Sequence, residues 1–560
     1  MPTIEVDYED LLSLIGRHIP IDELRDKAVM YAKAEVDAIE GTMLKLDIKD
    51  ANRPDLWSAE GVAREIAGRY GKPGLPRYSV ARPSLEVMVD PKVRKVRPYT
   101  VCAVVRGLAI SGHVLSQMIQ LQEKVAETFG KKRREVAIGV YDFSKIKGPI
   151  RYTTVKPDGI RFVPLEFTEA LTPRQILQQH PKGKEYRHLL DGCAEYPIFI
   201  DAAGEVLSMP PIINSNHTGK VTAETREVFI ECSGFSMRFL VPALNVLVAA
   251  LADRGGRIEG VRVVYPKGHG AGTMVTPDMG PKKIVARLDD INKILGLRLA
   301  PAQAVRMLEQ ARYSAKAKGS AIEALYPAYR QDIMHWRDVA EDAIISYGYE
   351  NVEPVPPKLA TTGSESKAEI FCRKVADAMA GMGLQEVLSY MLTSRDGLFR
   401  KMNAREEQAV EIENCMSANW SVFRTWLLPG LMEFLAGNKH VEYPQKVFEI
   451  GAAILPDQSQ ETGARDARKL AVAVSNTAVG YEDIASILNG LMESLGLKYE
   501  MKPKSHPSFI HGRCAAVFAA GKDIGLIGEI HPAALNAWGL EKPVAAFEIG
   551  LDEVYSLLSR

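Results

Sequence analysis

The chain has 560 residues, too many for one hydrophobic core, and this length alone favours about four domains. Hydrophobic residues make up 46% of it and charged residues 25%, which excludes disordered, collagen-like and coiled-coil proteins. Lys plus Arg and Asp plus Glu each number 70, so a nucleic-acid partner would have to be held by a local basic patch.

The six cysteines lie far apart without a C-x-x-C pair, which argues against a zinc site or a disulfide framework. The amino terminus has no signal-peptide pattern, and no apolar stretch reaches the roughly 20 residues of a membrane span. We therefore expect a soluble cytoplasmic protein without a membrane partner.

Two stretches have the composition of linkers: 264–273 is rich in glycine, and 353–366 is rich in Pro, Thr and Ser. A weaker shift in composition falls near 80–98. These features predict four segments, namely 1–85, 86–268, 269–356 and 357–560.

The hydrophobic patterns predict helices and strands in every segment. The first segment opens with a strand at Ile4–Asp7 and a helix at Glu9–Ile15. The second is an α/β unit whose strands include Val136–Tyr141 and Val228–Glu231.

In the third segment we expect helices at Pro281–Leu295, Ala302–Ala311 and Trp336–Tyr347, with a strand at Tyr329–Ile333. The fourth has a hairpin at 514–530 and a helix at 483–495 that covers a mainly antiparallel sheet. This combination is typical of an α+β domain.

Four acidic residues near the start of the 336–347 helix could form a site. Asp338, Glu341 and Asp342 share one helical face, and Asp332 lies close before them. Four oxygen donors suit a hard cation such as Mg2+. The alternative is that acids near a helix N-terminus complement its dipole and face solvent.

A second cluster of polar residues follows the apolar pair Ile212–Ile213. Asn214, Ser215, His217 and Thr218 could hold an ester and orient a water without a covalent nucleophile. The alternative is a turn that satisfies its own backbone. For the basic run Lys131–Arg134, which lacks interleaved aromatic residues, we favour a solvated helix end.

The sequence lacks the P-loop, the nucleophile elbow and the H-E-x-x-H motif. It nevertheless resembles the beta subunits of phenylalanyl-tRNA synthetase of the archaeal and eukaryotic type along nearly its whole length. The order and spacing of several strings carry this resemblance, namely Asn52–Leu56 with Glu60–Glu65, Val136–Asp142, Pro210–Thr218, Asp332–Ile333 with Tyr347–Tyr349, Ser421–Gly430, Phe448–Gly451 and Gly528–Pro532.

The resemblance implies a multidomain fold of α/β and α+β parts. It consists of an N-terminal α/β domain, an editing module, a small helical or winged-helix-like domain, and a C-terminal class II synthetase-like sheet that has lost its activity. The sequence agrees with that loss, because we find no Phe-Arg-x-Glu strand and no glycine-rich strand ending in arginine. Activation of phenylalanine with ATP then takes place in an alpha subunit, within an (αβ)2 tetramer that acts on tRNA-Phe.

The resemblance also implies roles for both polar clusters. Asp332, Asp338, Glu341 and Asp342 match the family's Mg2+ positions, with aspartate at the last place where some members have glutamate. The second segment resembles the module that hydrolyses tyrosine mischarged onto tRNA-Phe. There Glu231 is our candidate acceptor for the phenolic hydroxyl, with Asn214, Ser215, His217 and Thr218 as contacts to the ester or to water.

Two other functions remain open. The chain could be an assembly and tRNA-binding scaffold without editing activity. It could also be a free-standing tRNA deacylase that needs no alpha subunit. The sequence shows neither the oligonucleotide-binding insertion nor the C-terminal anticodon-binding domain of bacterial beta subunits, so the surface that contacts tRNA is not identified.

Overall fold

The computed structural model describes residues 2–559, which form two compact units, 1–355 and 356–560. The division lies within one residue of the boundary expected between the third and fourth segments. Each unit combines helices with several sheets, which confirms the expected mixed α/β, multidomain class. The finer boundaries within the first unit stay predictions.

The first unit contains sixteen strands among the described residues. They are β1 (Thr3–Asp7), β2 (Ala34–Glu40), β3 (Met43–Ile48), β4 (Val80–Val89), β5 (Tyr99–Arg106), β6 (Val136–Asp142), β7 (Ile150–Val155), β8 (Tyr196–Ile200), β9 (Val206–Met209), β10 (Ile213–Asn214), β11 (Glu227–Gly234), β12 (Arg257–Val264), β13 (Thr273–Thr276), β14 (Lys282–Arg287), β15 (Ser314–Lys318) and β16 (Ala321–Tyr326).

Its helices are α1 (Tyr8–Ile15), α2 (Ile21–Glu23), α3 (Ala59–Arg69), α4 (Gly112–Lys124), α5 (Pro173–Gln179), α6 (Pro181–Tyr186), α7 (Met237–Asp253), α8 (Leu288–Leu295), α9 (Pro301–Gln310) and α10 (Trp336–Tyr347). Side-chain oxygens cap several of them, as when Ser58 accepts a hydrogen bond from the Gly61 N–H at 3.2 Å and begins α3.

Three sheets make up this unit. Two have three strands each, in the orders β1-β3-β2 and β14-β16-β15. The third has ten strands in the order β10-β9-β8-β7-β4-β12-β5-β11-β6, with β13 added beside β12. Successive side chains of β11 point to opposite faces of this sheet, so Ile230 packs in the core with α7 while Phe229 packs on the other face.

The two ends of the ten-stranded sheet meet. The Asn214 amide of β10 donates to the Val140 carbonyl of β6 at 3.4 Å. The backbone N–H of Asp142 donates to the carbonyl of Thr218 at 2.8 Å. The sheet therefore closes around the residues that point inward from β6, β9 and β11.

The second unit contains strands β17 (Gln385–Glu386), β18 (Leu392–Thr393), β19 (Val422–Phe423), β20 (Gln445–Pro456), β21 (Ala464–Ser475), β22 (Tyr499–Pro503), β23 (Phe509–Ala519), β24 (Lys522–Ile530) and β25 (Val544–Gly550). Its helices are α11 (Lys367–Gly381), α12 (Leu428–Gly437), α13 (Tyr481–Ser494), α14 (Pro532–Trp538) and α15 (Leu551–Leu558). The seven-stranded sheet runs β17-β20-β21-β25-β24-β23-β22 and is antiparallel except between β17 and β20.

Three local predictions were wrong. The glycine-rich stretch 264–273 is no linker, because β12 and β13 pair on either side of it and make it a hairpin loop. Its Gly268, Gly270 and Gly272 have φ values of 81°, 92° and 65°, which suit glycine. The first half of the expected helix at 281–295 is strand β14. The expected strand Tyr329–Ile333 is absent, because Tyr329 ends a turn and residues 330–333 are irregular.

No helix within residues 2–559 is both long enough and apolar enough to cross a membrane.

Candidate functional site

A cavity of about 370 Å3 opens where the ends of the ten-stranded sheet meet. Its size lies within the range of small-ligand sites, roughly 300–1,000 Å3. Asn214 and Glu231 line it, as do Arg133 and His180. Its apolar wall is formed by Leu115, Met118, Ile119, Ile138, Val140, Ile212 and Ile213.

Glu231 is the unusual residue of this cavity. It lies on β11 directly opposite Gly139 of β6 and is only 1% exposed. Its Oε1 accepts a hydrogen bond from the Tyr141 hydroxyl at 3.1 Å, whereas its Oε2 has no partner among the described residues. A buried carboxylate oxygen without a partner is costly, so an oxygen left free in a cavity is a candidate ligand contact.

Burial raises the pKa of Glu231 to about 7, although the hydrogen bond from Tyr141 and the charge of Arg97 act in the opposite direction. Such a carboxyl group changes its protonation state near neutral pH. It can therefore accept a hydrogen bond from a ligand hydroxyl, or take up a proton, under ordinary working conditions.

Tyr141 and Ser208 hold the Glu231 carboxyl group in place. The Tyr141 hydroxyl lies 2.7 Å from Ser208 Oγ of β9 as well as beside Glu231. Gly139 makes this possible, because a Cβ at that position would fall on the Tyr141 hydroxyl. The roles of Tyr141, Ser208 and Gly139 were not predicted from the sequence. The only signal for them was a glycine two positions before a tyrosine in a predicted strand.

The structure brings only part of the predicted cluster into the cavity. Asn214 lines it, and Gly219 packs so closely on Asn214 that a Cβ there would clash. Ser215 and Thr218 are buried outside its lining, with their hydroxyl oxygens 2.9 Å apart.

His217 is exposed and does not line the cavity, and its carbonyl accepts a hydrogen bond from the Lys145 amine at 3.2 Å. The side chains of Ser215 and Thr218 hydrogen-bond within their own turn, so their polar groups are satisfied without a ligand. The roles assigned to Ser215, His217 and Thr218 stay predictions.

The basic run Lys131–Arg134 is only partly solvated. Lys131, Lys132 and Arg133 have left-handed φ values of 51°, 53° and 62°. Arg133 turns toward the cavity, donates to the carbonyl of Ile212 at 3.0 Å and lies over the ring of Tyr186 at 4.3 Å. The expectation of a solvated helix end was therefore wrong for Arg133.

The lining of the cavity includes no serine, threonine or cysteine. The lining offers an unpaired carboxylate oxygen in Glu231 and an amide in Asn214, both suited to a polar ligand with an apolar body.

The acidic residues near α10 are held by other protein groups. Asp332 receives two hydrogen bonds from Arg330, at 2.8 and 2.6 Å, and Asp342 receives one at 2.8 Å. Asp338 accepts from the backbone N–H groups of Met334 and His335 at 2.8 and 2.6 Å, which places it at the start of the helix.

Glu341 is half exposed and forms an ion pair with Lys33 at 2.8 Å. Within residues 2–559, no group of three or more His, Cys, Asp or Glu side chains is arranged to hold a metal ion. The four carboxylates as placed here therefore do not fit a Mg2+ ion, and that site stays a prediction.

Comparison with known proteins identifies the family of this chain. Residues 284–349 match the family model described as the tRNA synthetase B5 domain, and residues 352–551 match that of the phenylalanyl tRNA synthetase beta chain CLM domain. The phenylalanine–tRNA ligase beta subunit of Pyrococcus abyssi is 48% identical over 560 residues, covering 99% of this chain and all of that protein. The chain belongs to the phenylalanine–tRNA ligase beta subunit family. It is therefore a subunit of a class II aminoacyl-tRNA synthetase.

Other members of the beta subunit family agree. The beta subunit of Pyrococcus horikoshii is also 48% identical, and that of Thermococcus kodakarensis is 45% identical, each over 99% of this chain. A crystal structure of an N-terminal fragment of the Pyrococcus horikoshii beta subunit superposes with a TM-score of 0.60, covering 62% of this chain and all of that fragment. The resemblance inferred from the sequence is confirmed.

Proposed function

We propose that this chain supports the attachment of phenylalanine to tRNA-Phe as the beta subunit of a cytoplasmic (αβ)2 ligase. The alpha subunit would bind ATP and phenylalanine and carry out activation. Membership of the beta subunit family supports this division of labour.

We further propose that the first unit hydrolyses tyrosine mischarged onto tRNA-Phe. The observation that carries this proposal is the free Oε2 of Glu231 in a cavity that has an apolar wall. A pocket shaped for a phenyl ring rejects an added hydroxyl by a factor of only about 100, so a second site is needed. That site must recognise the hydroxyl itself.

In the proposed complex the tyrosyl ring lies against the apolar wall and its hydroxyl donates to Oε2 of Glu231. Phenylalanine would leave this oxygen buried and unpaired, which is the physical basis of discrimination. The Asn214 side chain would contact the ester, and a water molecule would attack the ester carbonyl carbon. Loss of the ester bond releases free tyrosine and intact tRNA.

The test uses the chain co-expressed with its alpha subunit and compares deacylation of Tyr-tRNA-Phe and Phe-tRNA-Phe. Glu231→Leu removes the acceptor at similar volume and should lower the deacylation rate for Tyr-tRNA-Phe by at least about 100-fold. Charging with phenylalanine should stay unchanged.

Glu227→Gln is the matched control, because Glu227 lies on the same strand but pairs with Arg106 outside the cavity lining. It should leave deacylation unchanged. A Glu231→Leu enzyme that hydrolyses Tyr-tRNA-Phe at the normal rate would contradict the editing proposal and favour the scaffold function.

A separate observation favours assembly through the second unit. Leu388, Tyr390 and Met416 are 81%, 77% and 105% exposed, and the Tyr390 and Trp420 rings pack at 5.1 Å. Large apolar side chains grouped on a surface mark protein interfaces. We propose that the surface around the Tyr390–Trp420 pair, together with the nearby Leu388, contacts the alpha subunit.

Co-purification of a tagged alpha subunit tests this surface. Leu388→Asp with Tyr390→Asp should abolish retention of the chain, whereas Leu359→Asp, at a side chain that is 76% exposed elsewhere in the same unit, should not. Full retention of the double variant would show that the interface lies elsewhere.

A further inference from the structure

Two buried arginines organise the carboxylates around Asp332. Arg330 is 1% exposed, and its single Nη2 atom lies 2.6 Å from Asp332 Oδ2 and 2.8 Å from Asp342 Oδ2. One guanidinium nitrogen thus bridges two carboxylates. Tyr313 completes this arrangement by donating its hydroxyl to Asp342 at 2.6 Å.

The second arginine, Arg53, is equally buried and lies in the segment before α3. It makes two hydrogen bonds to Asp55, at 2.9 and 2.8 Å, and one to Glu65 at 3.1 Å. Its Nε lies 3.8 Å from Asp332 Oδ1, which joins the two halves of the cluster. Glu65 also pairs with Arg69 at 2.6 Å.

Each of the four buried carboxylates, namely those of Asp55, Glu65, Asp332 and Asp342, therefore has a guanidinium partner within the chain. Burial lowers the pKa of Arg330, but the charges of Asp332 and Asp342 outweigh it and hold that pKa well above the ordinary value. The pKa of Glu65 is lowered to about 2, because Arg53 and Arg69 overcome the effect of its burial. Arg330 and Glu65 are thus charged at neutral pH.

We propose that Arg53, Arg69 and Arg330, and not a divalent cation, are the cationic partners of the buried carboxylates of Asp55, Glu65, Asp332 and Asp342. This ion-pair network fastens the segment 53–69 to the segment 330–342. In this arrangement Asp332 and Asp342 do not have the Mg2+-binding role that the family resemblance implies. The network is independent of the proposed editing activity.

The geometry favours the arginine over an ion. Magnesium needs oxygen ligands at about 2.0–2.1 Å in a nearly octahedral arrangement. The space between Asp332 and Asp342 is taken by Arg330 Nη2, so an ion could enter only after the guanidinium had left. The other two acids are engaged elsewhere, Asp338 with backbone N–H groups and Glu341 with Lys33.

Mn2+ serves as the probe, because its electron paramagnetic resonance signal reports binding directly. The wild-type full chain should bind no more Mn2+ than an Asp332→Asn variant does. The Tm of the wild-type chain should be the same in EDTA and in Mg2+. The same result is expected for the chain co-purified with its alpha subunit.

Arg330→Met should lower the Tm by on the order of 10 °C, because it leaves two buried carboxylates unpaired. Arg330→Lys keeps a positive charge, so its Tm should fall by less than that of Arg330→Met. This variant remains informative if the methionine variant fails to fold. Arg337→Met, at an exposed arginine of the same region, is the matched control and should keep the wild-type Tm.

Stoichiometric Mn2+ that disappears in Asp332→Asn, in the chain or in the complex, would overturn the proposal. So would an EDTA-induced fall in the wild-type Tm that Mg2+ reverses. An unchanged Tm in both Arg330 variants would show that the pairs of Arg330 with Asp332 and Asp342 do not stabilise the fold.

Discussion

The Tyr141 hydroxyl and the Glu231 carboxyl group lie 3.1 Å apart, and both residues are buried on neighbouring strands. The tyrosine engages one carboxylate oxygen and leaves the other free toward the cavity. The free oxygen adds a hydrogen-bond acceptor to a cavity whose lining also includes Arg133, His180 and Asn214. The division between the two oxygens depends on the absence of a side chain at Gly139.

Gly139→Ala tests that dependence. The added Cβ would fall on the Tyr141 hydroxyl, so the ring must move and its hydrogen bonds are lost. We expect the free energy of unfolding to fall by about 1–3 kcal/mol, as for other overpacked sites. The rate of Tyr-tRNA-Phe deacylation should fall as well. Urea unfolding measures the first effect. Gly112→Ala, where a Cβ meets nothing within 4 Å, is the control that should cost little.

The raised pKa of Glu231 predicts a pH-dependent stability. The group titrates near 4.5 when unfolded and near 7 when folded, so the folded chain binds more protons between these values. Its contribution to stability is complete below pH 4.5 and is lost as pH rises through 7, a change of about 3 kcal/mol. Glu231→Gln should abolish this part of the profile, which unfolding curves from pH 4.5 to 8.5 measure. Coincident profiles for both proteins would contradict the assigned burial.

Tyr141→Phe keeps the ring and removes the hydroxyl. Since the hydrogen bond from Tyr141 lowers the pKa of Glu231, its loss should raise that pKa further. The pH dependence of Tyr-tRNA-Phe deacylation should then shift to higher pH. A lower rate with an unshifted profile would indicate a packing role alone.

In the second unit, Arg424 makes a buried ion pair with Glu449 at 2.6 Å and a hydrogen bond to Ser389 at 2.9 Å. Arg424→Met leaves Glu449 buried and unpaired and should lower the free energy of unfolding by about 3–5 kcal/mol. Chemical denaturation followed by circular dichroism measures the change. Arg465→Met, at a side chain that is 44% exposed, should cost less than about 1 kcal/mol. Equal effects of the two variants would contradict this assignment.

Periodicity predicted the long, regular elements well because a single buried face decides them. Helix α13 and the hairpin of β23 and β24 are examples, since their apolar residues recur at the spacing of the element. It failed where local sequence was ambiguous. The segment 281–295 is apolar at spacings that fit both a helix and a strand followed by a helix.

The candidate site could be predicted only in part. Asn214 and Glu231, which the sequence analysis names, both line the cavity, and their roles stay predictions. Their neighbours Tyr141 and Ser208 are 67 residues apart in the chain and meet only when the sheet closes. Asp332 and Asp342 were correctly placed near each other. Their engagement by Arg330 could not be read from spacing, because an arginine two residues from an aspartate is ordinarily a solvated pair.

The most direct test of the account is deacylation of Tyr-tRNA-Phe by the chain with its alpha subunit, comparing wild type with Glu231→Leu. We expect rapid hydrolysis by the wild type, at least about a 100-fold loss in the variant, and unchanged charging with phenylalanine. A wild-type complex that charges normally but leaves Tyr-tRNA-Phe intact would contradict it.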